Sequence, residues 1–409
     1  MKKHISSLIC LALIVSLLAG CGAAQSPAPI EETAAPIEET AAPTEEPIVP
    51  TEEPIVPTEE PAEPVEETAA PAERPDEAPE EPAGTEEPEP TAESGLDDEP
   101  EPETEIGAHY VFQPKVCSSA MTEVFGEHMT ETWFSLVDAI MAGEETFACP
   151  DEDTYWWVMG QYPDQCFPVL KDLIWYCYDV EHPVKDGVAE FTYTVPKEEA
   201  AARIAEFASL VEGILNETLR DDYSDLEKAL ALYLYFSHHY IYDYESARPD
   251  FAPTYLSSYR VLTTGTGICQ EFSVAYSYLL LQAGVDASVM SGHRGYDHEG
   301  HQWSYVRING HEFHIDPTYV IGDQDSLAYF MMTDTQRENE DDYSRTDFVI
   351  CSHYSNDHPH PEYVADDETF REIWEGRFME FDHEHHILTY SAYNDQGQWV
   401  AKTFDYSGW

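Results

Sequence analysis

The chain has 409 residues and a formal net charge of −62, with 19 basic and 81 acidic side chains. Proteins that bind nucleic acids recognise phosphate through lysine and arginine, so this composition argues against a nucleic-acid partner. The first quarter of the chain is nearly free of aromatic residues. Only the later part, roughly 300 residues, can bury enough apolar surface to offset the entropy lost on folding.

The first 21 residues have the pattern of an export signal. A short basic start, "MKKH", precedes the apolar run "ISSLICLALIVSLL", which is too short to span a membrane. The run ends in "LAGC" (18–21), which resembles the lipobox of bacterial lipoproteins. That resemblance implies cleavage before Cys21, lipidation of its thiol, and a mature protein anchored on the extracellular face of the cell membrane.

Residues 22–106 are predicted to form a disordered Pro/Glu/Thr-rich tether. Proline recurs every seven residues from Pro29 to Pro57, and this spacing is incompatible with a continuous helix or a coiled coil. Extended, polyproline-like disorder fits the composition better. At full extension the tether would reach about 250 Å, so we expect it to act as a spacer without chemistry of its own.

The remainder is predicted to comprise three segments. A helix-rich N-terminal region (107–222) includes one strand, "GVAEFTYTV" (187–195), followed by an amphipathic helix over "KEEAAARIAEFASLVEGILNETL". A catalytic core spans 223–335. A C-terminal extension (336–409) contains a predicted helix over "ETFREIWEGRF" and then a meander of short strands.

The core begins with two predicted helices. Ser224 and Glu227 form a capping-box signature in front of the first. The second covers 264–284, carries apolar side chains at helical spacing, and ends at Gly284. It contains "GTGICQEF", in which Cys269 follows a compact glycine-rich turn. The next segment, "VDASVMSG", is predicted to be a strand.

A hairpin follows, with Asn309-Gly310 as its type I′ turn. Counting pairs outward from the turn places Val306 opposite Phe313. Because side chains alternate along strands, one set shares a face: His301, Trp303, Tyr305, His314, Asp316 and Thr318. His301 and Asp316 are then diagonal neighbours about 7–8 Å apart, within reach of a hydrogen bond between their side chains.

These positions predict a cysteine nucleophile with a histidine–carboxylate pair. The pKa of a thiol falls at a helix N-terminus and beside an imidazolium, which suits Cys269 to nucleophilic attack. The hairpin would supply His301 as the base and Asp316 as the carboxylate that orients it. The backbone N–H of Cys269 could serve in an oxyanion hole, for which spacing identifies no second donor.

The same residues resemble the bacterial transglutaminase-like superfamily, whose fold is similar to papain-like cysteine proteases. The family patterns G-x-C-x-x-[FY], H-A-W-N and D-P-T-W match in part, at these positions: Gly267, Cys269, Phe272, His301, Trp303, Asp316, Pro317 and Thr318. The resemblance implies an α+β fold, with the catalytic helix packed on an antiparallel sheet. It also implies Cys269 as nucleophile, His301 as general base and acid, and Asp316 as orienter.

Three positions depart from the family pattern. This chain has Gln302 where the family has alanine, Ser304 where it has asparagine, and Tyr319 where it has tryptophan. Gln302 and Tyr319, together with Trp303, are predicted to border the substrate groove. For Trp303 the simpler alternative is a core residue.

Other residues leave alternatives open. His314 shares the predicted catalytic face and is the rival base, whereas His293 and His298 are expected in a solvated loop. The histidine-rich stretches lack the H-E-x-x-H spacing of zinc proteases, so no metal and no cofactor are expected. Disulfides are permitted outside the cytoplasm, and Cys166 with Cys177 is the closest pair in sequence.

The sequence therefore predicts a surface-anchored, cysteine-dependent acyltransferase that acts on carboxamide or peptide groups through a thioester. Its partners would be protein or peptide substrates associated with the cell wall, and the membrane through Cys21. A cysteine peptidase or amidase uses the same chemistry until the acyl acceptor arrives, and it stays an alternative. A non-catalytic surface binding module is the other.

Overall fold

The structure is a computed structural model that describes residues 109–176, 182–248, 256–295, 299–341 and 343–409. The predicted signal and tether, with Cys21, lie outside the described residues, as do Cys177 and His298. None of the helices in the described ranges combines the length and the apolar character that crossing a membrane requires.

Helices and strands alternate irregularly along the chain. The helices are α1 (Ser119–Phe125), α2 (Glu127–Met141), α3 (Glu152–Cys166), α4 (Leu170–Leu173), α5 (Lys197–Thr218), α6 (Asp225–His239), α7 (Ser258–Thr264), α8 (Cys269–Gln282), α9 (Pro317–Gly322), α10 (Asp334–Asp341) and α11 (Tyr354–Asp357). The strands are β1 (Thr146–Ala148), β2 (Ile174–Tyr176), β3 (Val184–Lys185), β4 (Val188–Tyr193), β5 (Ile241–Tyr242), β6 (Thr266–Gly267), β7 (Asp286–His293), β8 (Gly300–Ile308), β9 (His311–Ile315), β10 (Val349–Ile350), β11 (Arg377–Asp382), β12 (Ile387–Tyr393) and β13 (Trp399–Asp405).

The N-terminal region contains a small sheet as well as the expected helices. Its strands lie in the order β1–β4–β2, and β3 also pairs with β4. The predicted strand and the amphipathic helix after it are confirmed as β4 and α5. The other strands have only two or three residues each, which is too short for an alternating pattern to reveal them.

The central sheet has the order β10–β7–β8–β9, and all of its pairs are antiparallel. Helix α8 packs on this sheet, where the hydroxyl of Ser277 donates to the carbonyl of Ser288 over 2.8 Å. The predicted hairpin register is confirmed, with Val306 opposite Phe313. Asn309 and Gly310 both have positive φ (51° and 81°), as a type I′ turn requires. The predicted α+β class is thus correct.

Two boundaries in the core differ from the prediction. Helix α8 begins at Cys269 rather than at 264, because Thr266–Gly267 forms a parallel pair with Ile241–Tyr242. Strand β9 ends at Ile315, because Asp316 caps α9 and a proline occupies the first helical position. The catalytic carboxylate candidate is therefore an N-cap residue, and Thr318 lies in a helix rather than on the strand.

The C-terminal extension forms the predicted meander, β11–β12–β13. The predicted α-helix over "ETFREIWEGRF" is wrong, since only a 3₁₀ turn (Thr369–Ile373) forms there. The buried anchors of that turn, Phe370 and Ile373, are three residues apart, which a 3₁₀ turn places on one side. One hydrophobic core joins all three segments, with buried residues such as Trp133, Leu279 and Phe404.

Candidate active site

Cys269 is the first residue of α8, and its side chain is partly exposed. Helix N-termini carry unsatisfied N–H groups and a positive partial charge, which favour an anionic sulfur. Gly267 is packed too tightly for a side chain, since a Cβ there would lie 2.3 Å from Cγ2 of Val261. The close packing of this turn therefore places the sulfur at the open end of the helix.

Glu271 holds the segment in front of the nucleophile. Its buried carboxylate accepts the backbone N–H groups of Ser257 (2.9 Å) and Ile268 (3.1 Å). Arg260 binds the same carboxylate with Nε (2.8 Å) and Nη2, and reaches Asp243 with Nη1 (2.9 Å). Hydrogen bonds through Glu271 and Arg260 thus connect the turn before Cys269 to helix α7 and to the loop after β5.

His301, at the start of β8, and Asp316, the N-cap residue between β9 and α9, form a hydrogen-bonded pair. Nε2 of His301 lies 2.7 Å from Oδ2 of Asp316. The carboxylate has no exposed surface, and its other oxygen accepts the backbone N–H of Thr318 at 3.1 Å. The pair that the hairpin register predicted is therefore present in the structure.

The thiol of Cys269 completes a three-residue cluster, because it lies close enough to His301 to raise the pKa of that imidazole. Since Nε2 of the ring is bonded to Asp316, Nδ1 is the nitrogen left for the sulfur. Burial lowers the pKa of His301, but the charges of Asp316 and of a Cys269 thiolate outweigh it and raise this pKa to about 9. These negative charges favour the imidazolium form of His301 at neutral pH.

Asp316 remains ionised although it is fully buried. Burial would raise the pKa of its carboxyl, but the charges of His301 and Arg337 hold that pKa below its usual value. Nη2 of Arg337 lies 2.9 Å from Oδ2, and this arginine is itself without exposed surface. Arg337 belongs to α10 and was not among the predicted site residues.

His314 is not a member of this cluster, because its two ring nitrogens bind Trp303 and Asp334 instead. Its Nδ1 accepts the indole N–H of Trp303 at 2.8 Å, and its Nε2 lies 2.8 Å from Oδ1 of Asp334. Burial lowers the pKa of His314 more than Asp334 raises it. Both ring nitrogens are occupied and the ring has no exposed surface, so the geometry does not support His314 as the base.

The three predicted groove residues have different positions. Trp303 is fully buried, so it does not line an open groove; its ring packs behind His301 with centroids 6.0 Å apart. Tyr319 is partly exposed and contacts the His301 ring at 5.4 Å between centroids. Gln302 is partly buried, and its Oε1 atom finds no hydrogen-bond donor among the described residues.

The remaining cysteines and histidines are separate from the cluster. Five cysteines are described and all are free: Cys117, Cys149, Cys166, Cys269 and Cys351. Cys166 is buried with its sulfur 3.5 Å from that of Met121, and its suggested partner lies outside the described residues. The predicted loop position of His293 is wrong, because this residue ends β7 and pairs there with Gly300.

Sequence reasoning missed the residues that α10 contributes, Asp334 and Arg337. Arg337 is the only basic residue between Asp334 and Asp342 in "DTQRENEDD", and this isolation was the available signal. An arginine within an acidic helix is ordinarily a solvated residue, however. Its burial depends on aromatic rings and a carboxylate supplied by other segments of the chain.

Comparison with known families identifies the core. Residues 212–317 match the family model described as the transglutaminase-like superfamily. The matched range contains Cys269, His301 and Asp316. No curated protein matches the chain.

Solved structures overlap with the chain only in part. A structure titled as a TGase is 22% identical, covers 31% of this chain and 34% of its own, and has a TM-score of 0.26. A candidate cysteine protease from Cytophaga hutchinsonii is 18% identical, with coverages of 23% and 31% and a TM-score of 0.20. A candidate protease from Parabacteroides distasonis ATCC 8503 is 13% identical, with coverages of 32% and 34% and a TM-score of 0.21. The chain thus spans 31–34% of the length of these structures.

Residues 212–317 of this chain form a domain of the transglutaminase-like superfamily.

Proposed function

We propose that this domain is a cysteine-dependent acyltransferase that acts on carboxamide or peptide groups through a thioester. One observation carries the proposal: the imidazole of His301 is hydrogen-bonded to the buried carboxylate of Asp316, and the thiol of Cys269 at the start of α8 is close enough to interact electrostatically with the same ring. A nucleophile, a base and a group that orients the base are the parts required for covalent acyl transfer.

The reaction follows from the protonation states. The thiolate of Cys269 attacks the carbonyl carbon, and the C=O bond becomes a C–O⁻ oxyanion. Collapse of this intermediate breaks the C–N bond, and the imidazolium of His301 gives its proton to the departing nitrogen. The product is a thioester on Cys269, a neutral His301, and free ammonia or amine. Asp316 keeps the other ring N–H in place throughout.

The acceptor decides between transfer and hydrolysis. A primary amine or a water molecule loses a proton to neutral His301 and attacks the thioester carbon. His301 is an imidazolium again after this proton transfer, and collapse of the intermediate breaks the C–S bond and releases the Cys269 thiolate. An amine acceptor gives a new amide, as in a transglutaminase, whereas water gives a carboxylic acid, as in a peptidase or amidase.

Incubation of the purified full chain with a glutamine-bearing peptide and a fluorescent alkylamine would test the proposal. We expect covalent incorporation of the amine together with release of ammonia. The variant Cys269→Ser should lose both signals. Cys117→Ser is the matched control, since this thiol is also partly exposed and its hydrogen bonds join it to Ser118, Thr122 and Thr130, which are not members of the cluster.

The other outcomes separate the alternatives. Cleavage of peptides without amine incorporation would replace the transferase with a hydrolase that uses the same residues. If neither reaction occurs and Cys269 reacts with iodoacetamide no faster than free cysteine at neutral pH, the catalytic proposal fails. The binding-module alternative would then be favoured.

We also propose that Cys21 carries a lipid and holds the domain on the extracellular face of the membrane, near protein or peptide substrates of the cell wall. The "LAGC" pattern and the Pro/Glu/Thr-rich segment after it support this proposal. Metabolic labelling with a fatty-acid analogue should label the wild-type chain but not Cys21→Ala. Equal labelling of both chains would contradict lipidation at this residue.

A further inference from the structure

Arg337 occupies an unusual setting for an arginine. Its side chain has no exposed surface, and its guanidinium carbon lies 4.3 Å from the ring centre of Trp303 and 4.6 Å from that of Tyr343. Removing a cation from water is strongly unfavourable unless a buried partner compensates for it. A guanidinium suits such a site because it is planar: aromatic rings can stack on its faces while a carboxylate binds at its edge.

The compensating partner is Asp316. Nη2 of Arg337 lies 2.9 Å from Oδ2, which is also the oxygen that Nε2 of His301 approaches to 2.7 Å. The second oxygen, Oδ1, accepts the backbone N–H of Thr318. A guanidinium from α10, an imidazole from β8 and a backbone N–H from α9 therefore converge on one buried carboxylate. This convergence restricts the rotation of the carboxylate far more than a single histidine could.

The charges in the cluster also balance. In the thiolate form that the proposed reaction requires, Cys269 contributes one negative charge and the Asp316 carboxylate a second, and protonated His301 and Arg337 contribute two positive charges. Tyr233 and Tyr242, from α6 and β5, also interact electrostatically with Asp316, and burial raises the pKa of both phenols, so they stay neutral. Without Arg337, the cluster would keep a net negative charge in a buried site.

We propose that Arg337 is a positioning residue of the acyl-transfer site, which keeps the Asp316 carboxylate ionised and oriented so that His301 presents Nδ1 to Cys269. The inference rests on the proposed function but does not follow from it, because a histidine–carboxylate pair needs no arginine. A purely structural role is the alternative, in which Arg337 only fills the space between Trp303 and α10.

The test measures the rate at which iodoacetamide alkylates Cys269 in the full chain, across acid and neutral pH, with the label located by mass spectrometry. In Arg337→Met and Arg337→Gln the carboxylate loses a cation, so Asp316 takes up a proton at higher pH and the thiolate–imidazolium pair is lost earlier on acidification. We expect the acid limb of the profile to move up by about one pH unit, which is about a tenfold loss of rate on that limb. Arg337→Lys keeps the charge and should restore part of the shift.

A matched control separates charge at the site from general stability. Arg307, in β8, also bridges carboxylates, those of Glu123 in α1 and Glu312 in β9, and among the described residues none of its ion pairs involves Cys269, His301 or Asp316. Arg307→Met should lower the melting temperature and leave the alkylation profile unchanged. Folded Arg337→Met or Arg337→Gln chains with the wild-type profile would overturn the proposal.

A double variant covers the case in which removal of one buried charge prevents folding. In an Asp316→Asn background the carboxylate charge is already absent, so a buried arginine is no longer required and Arg337→Gln should be tolerated. If Arg337 acts through Asp316, Arg337→Gln adds no further change to the alkylation profile of Asp316→Asn. A further shift of similar size would refute this route. Failure of the proposed function would be recognised separately, by a wild-type Cys269 that reacts like free cysteine.

Discussion

The indole Nε1 of Trp303 donates to Nδ1 of His314 over 2.8 Å, and this bond separates the two histidines of the hairpin. It requires an unprotonated Nδ1, so the proton of neutral His314 lies on Nε2, facing Asp334. His301 makes no such bond to the indole and keeps one nitrogen for Cys269. Two histidines on one face of a ribbon therefore have different chemistry.

Substitution of each histidine by glutamine should give opposite phenotypes. His301→Gln removes the proposed base, so we expect kcat for acyl transfer to fall by about 10³-fold or more with little change in folding. His314→Gln keeps a donor toward Asp334 but deprives the Trp303 N–H of its acceptor, which should lower the free energy of unfolding by about 1–3 kcal/mol. Steady-state kinetics and thermal unfolding would measure these effects. A loss of kcat confined to His314→Gln would reverse the assignment.

Asp316→Asn should remove most of the activity and also lower the stability, because the buried Arg337 loses its counter-charge. Asparagine can still accept from Thr318, but it has no charge to stabilise the imidazolium of His301. We expect kcat to fall by about 10²- to 10⁴-fold, as for a triad whose carboxylate is neutralised. Near-UV circular dichroism would check the packing of the aromatic rings. Wild-type turnover in this variant would show that the pair is only structural.

Gly267→Ala tests the packing of the turn before the nucleophile. The added methyl would overlap Cγ2 of Val261 and approach Oε2 of Glu271 to 3.2 Å, so the turn must shift. We expect a loss of about 1–3 kcal/mol in stability together with reduced alkylation of Cys269. Gly213→Ala is the control: it lies within α5, has open space for a Cβ, and should stabilise the chain by about 0.5–1 kcal/mol. Equal effects of the two substitutions would contradict the argument.

Glu227 joins the start of α6 to the C-terminal extension. Its buried carboxylate accepts the backbone N–H of Ser224 at 2.7 Å and the hydroxyl of Tyr406 at 2.8 Å, and lies 2.8 Å from Nδ1 of His383. Burial raises the pKa of Glu227, but these hydrogen bonds outweigh it and leave this pKa below 4.5, its ordinary value. A lowered pKa in the folded state means that the ionised carboxylate stabilises the fold above that ordinary value, and that the stabilisation is lost on acidification.

Glu227→Gln should therefore lower the melting temperature at neutral pH. The loss should correspond to about 1–3 kcal/mol, the range for a buried charged group that loses its partners. The difference between wild type and variant should shrink as the pH falls below 4.5. Glu199→Gln is the control, because the Glu199–Arg203 pair is exposed and contributes little. A difference that is independent of pH would contradict the role of the charge.

Much of the core could be predicted because its signals are local. The capping box at Ser224 and Glu227 depends on residues three apart, and the type I′ turn at Asn309-Gly310 depends on adjacent ones. The turn determines the register of β8 and β9, and the register brings His301 within reach of Asp316. Strand alternation then separates the face of these residues from the apolar face.

The ends and types of helices were less predictable where a tertiary contact competes with the local sequence preference. Thr266–Gly267 could continue a helix by pattern alone, but it pairs with a strand 25 positions earlier in the chain. The segment around Phe370 likewise has helical composition, yet it packs as a 3₁₀ turn against Phe313 and Trp409. In both cases the deciding partner is remote in sequence, so no local window contains it.

Composition and short-range spacing by themselves determined that a large core follows an acidic, proline-rich quarter, that Cys269 lies near the start of a helix, and that His301 and Asp316 are within reach of each other on a hairpin. Only the tertiary structure decided which cation accompanies that carboxylate. Arg337 is 21 positions beyond Asp316 and is enclosed by Trp303 and Tyr343, from two further segments. A buried charge is stable only when its partners surround it in three dimensions, and that condition has no signature along the chain.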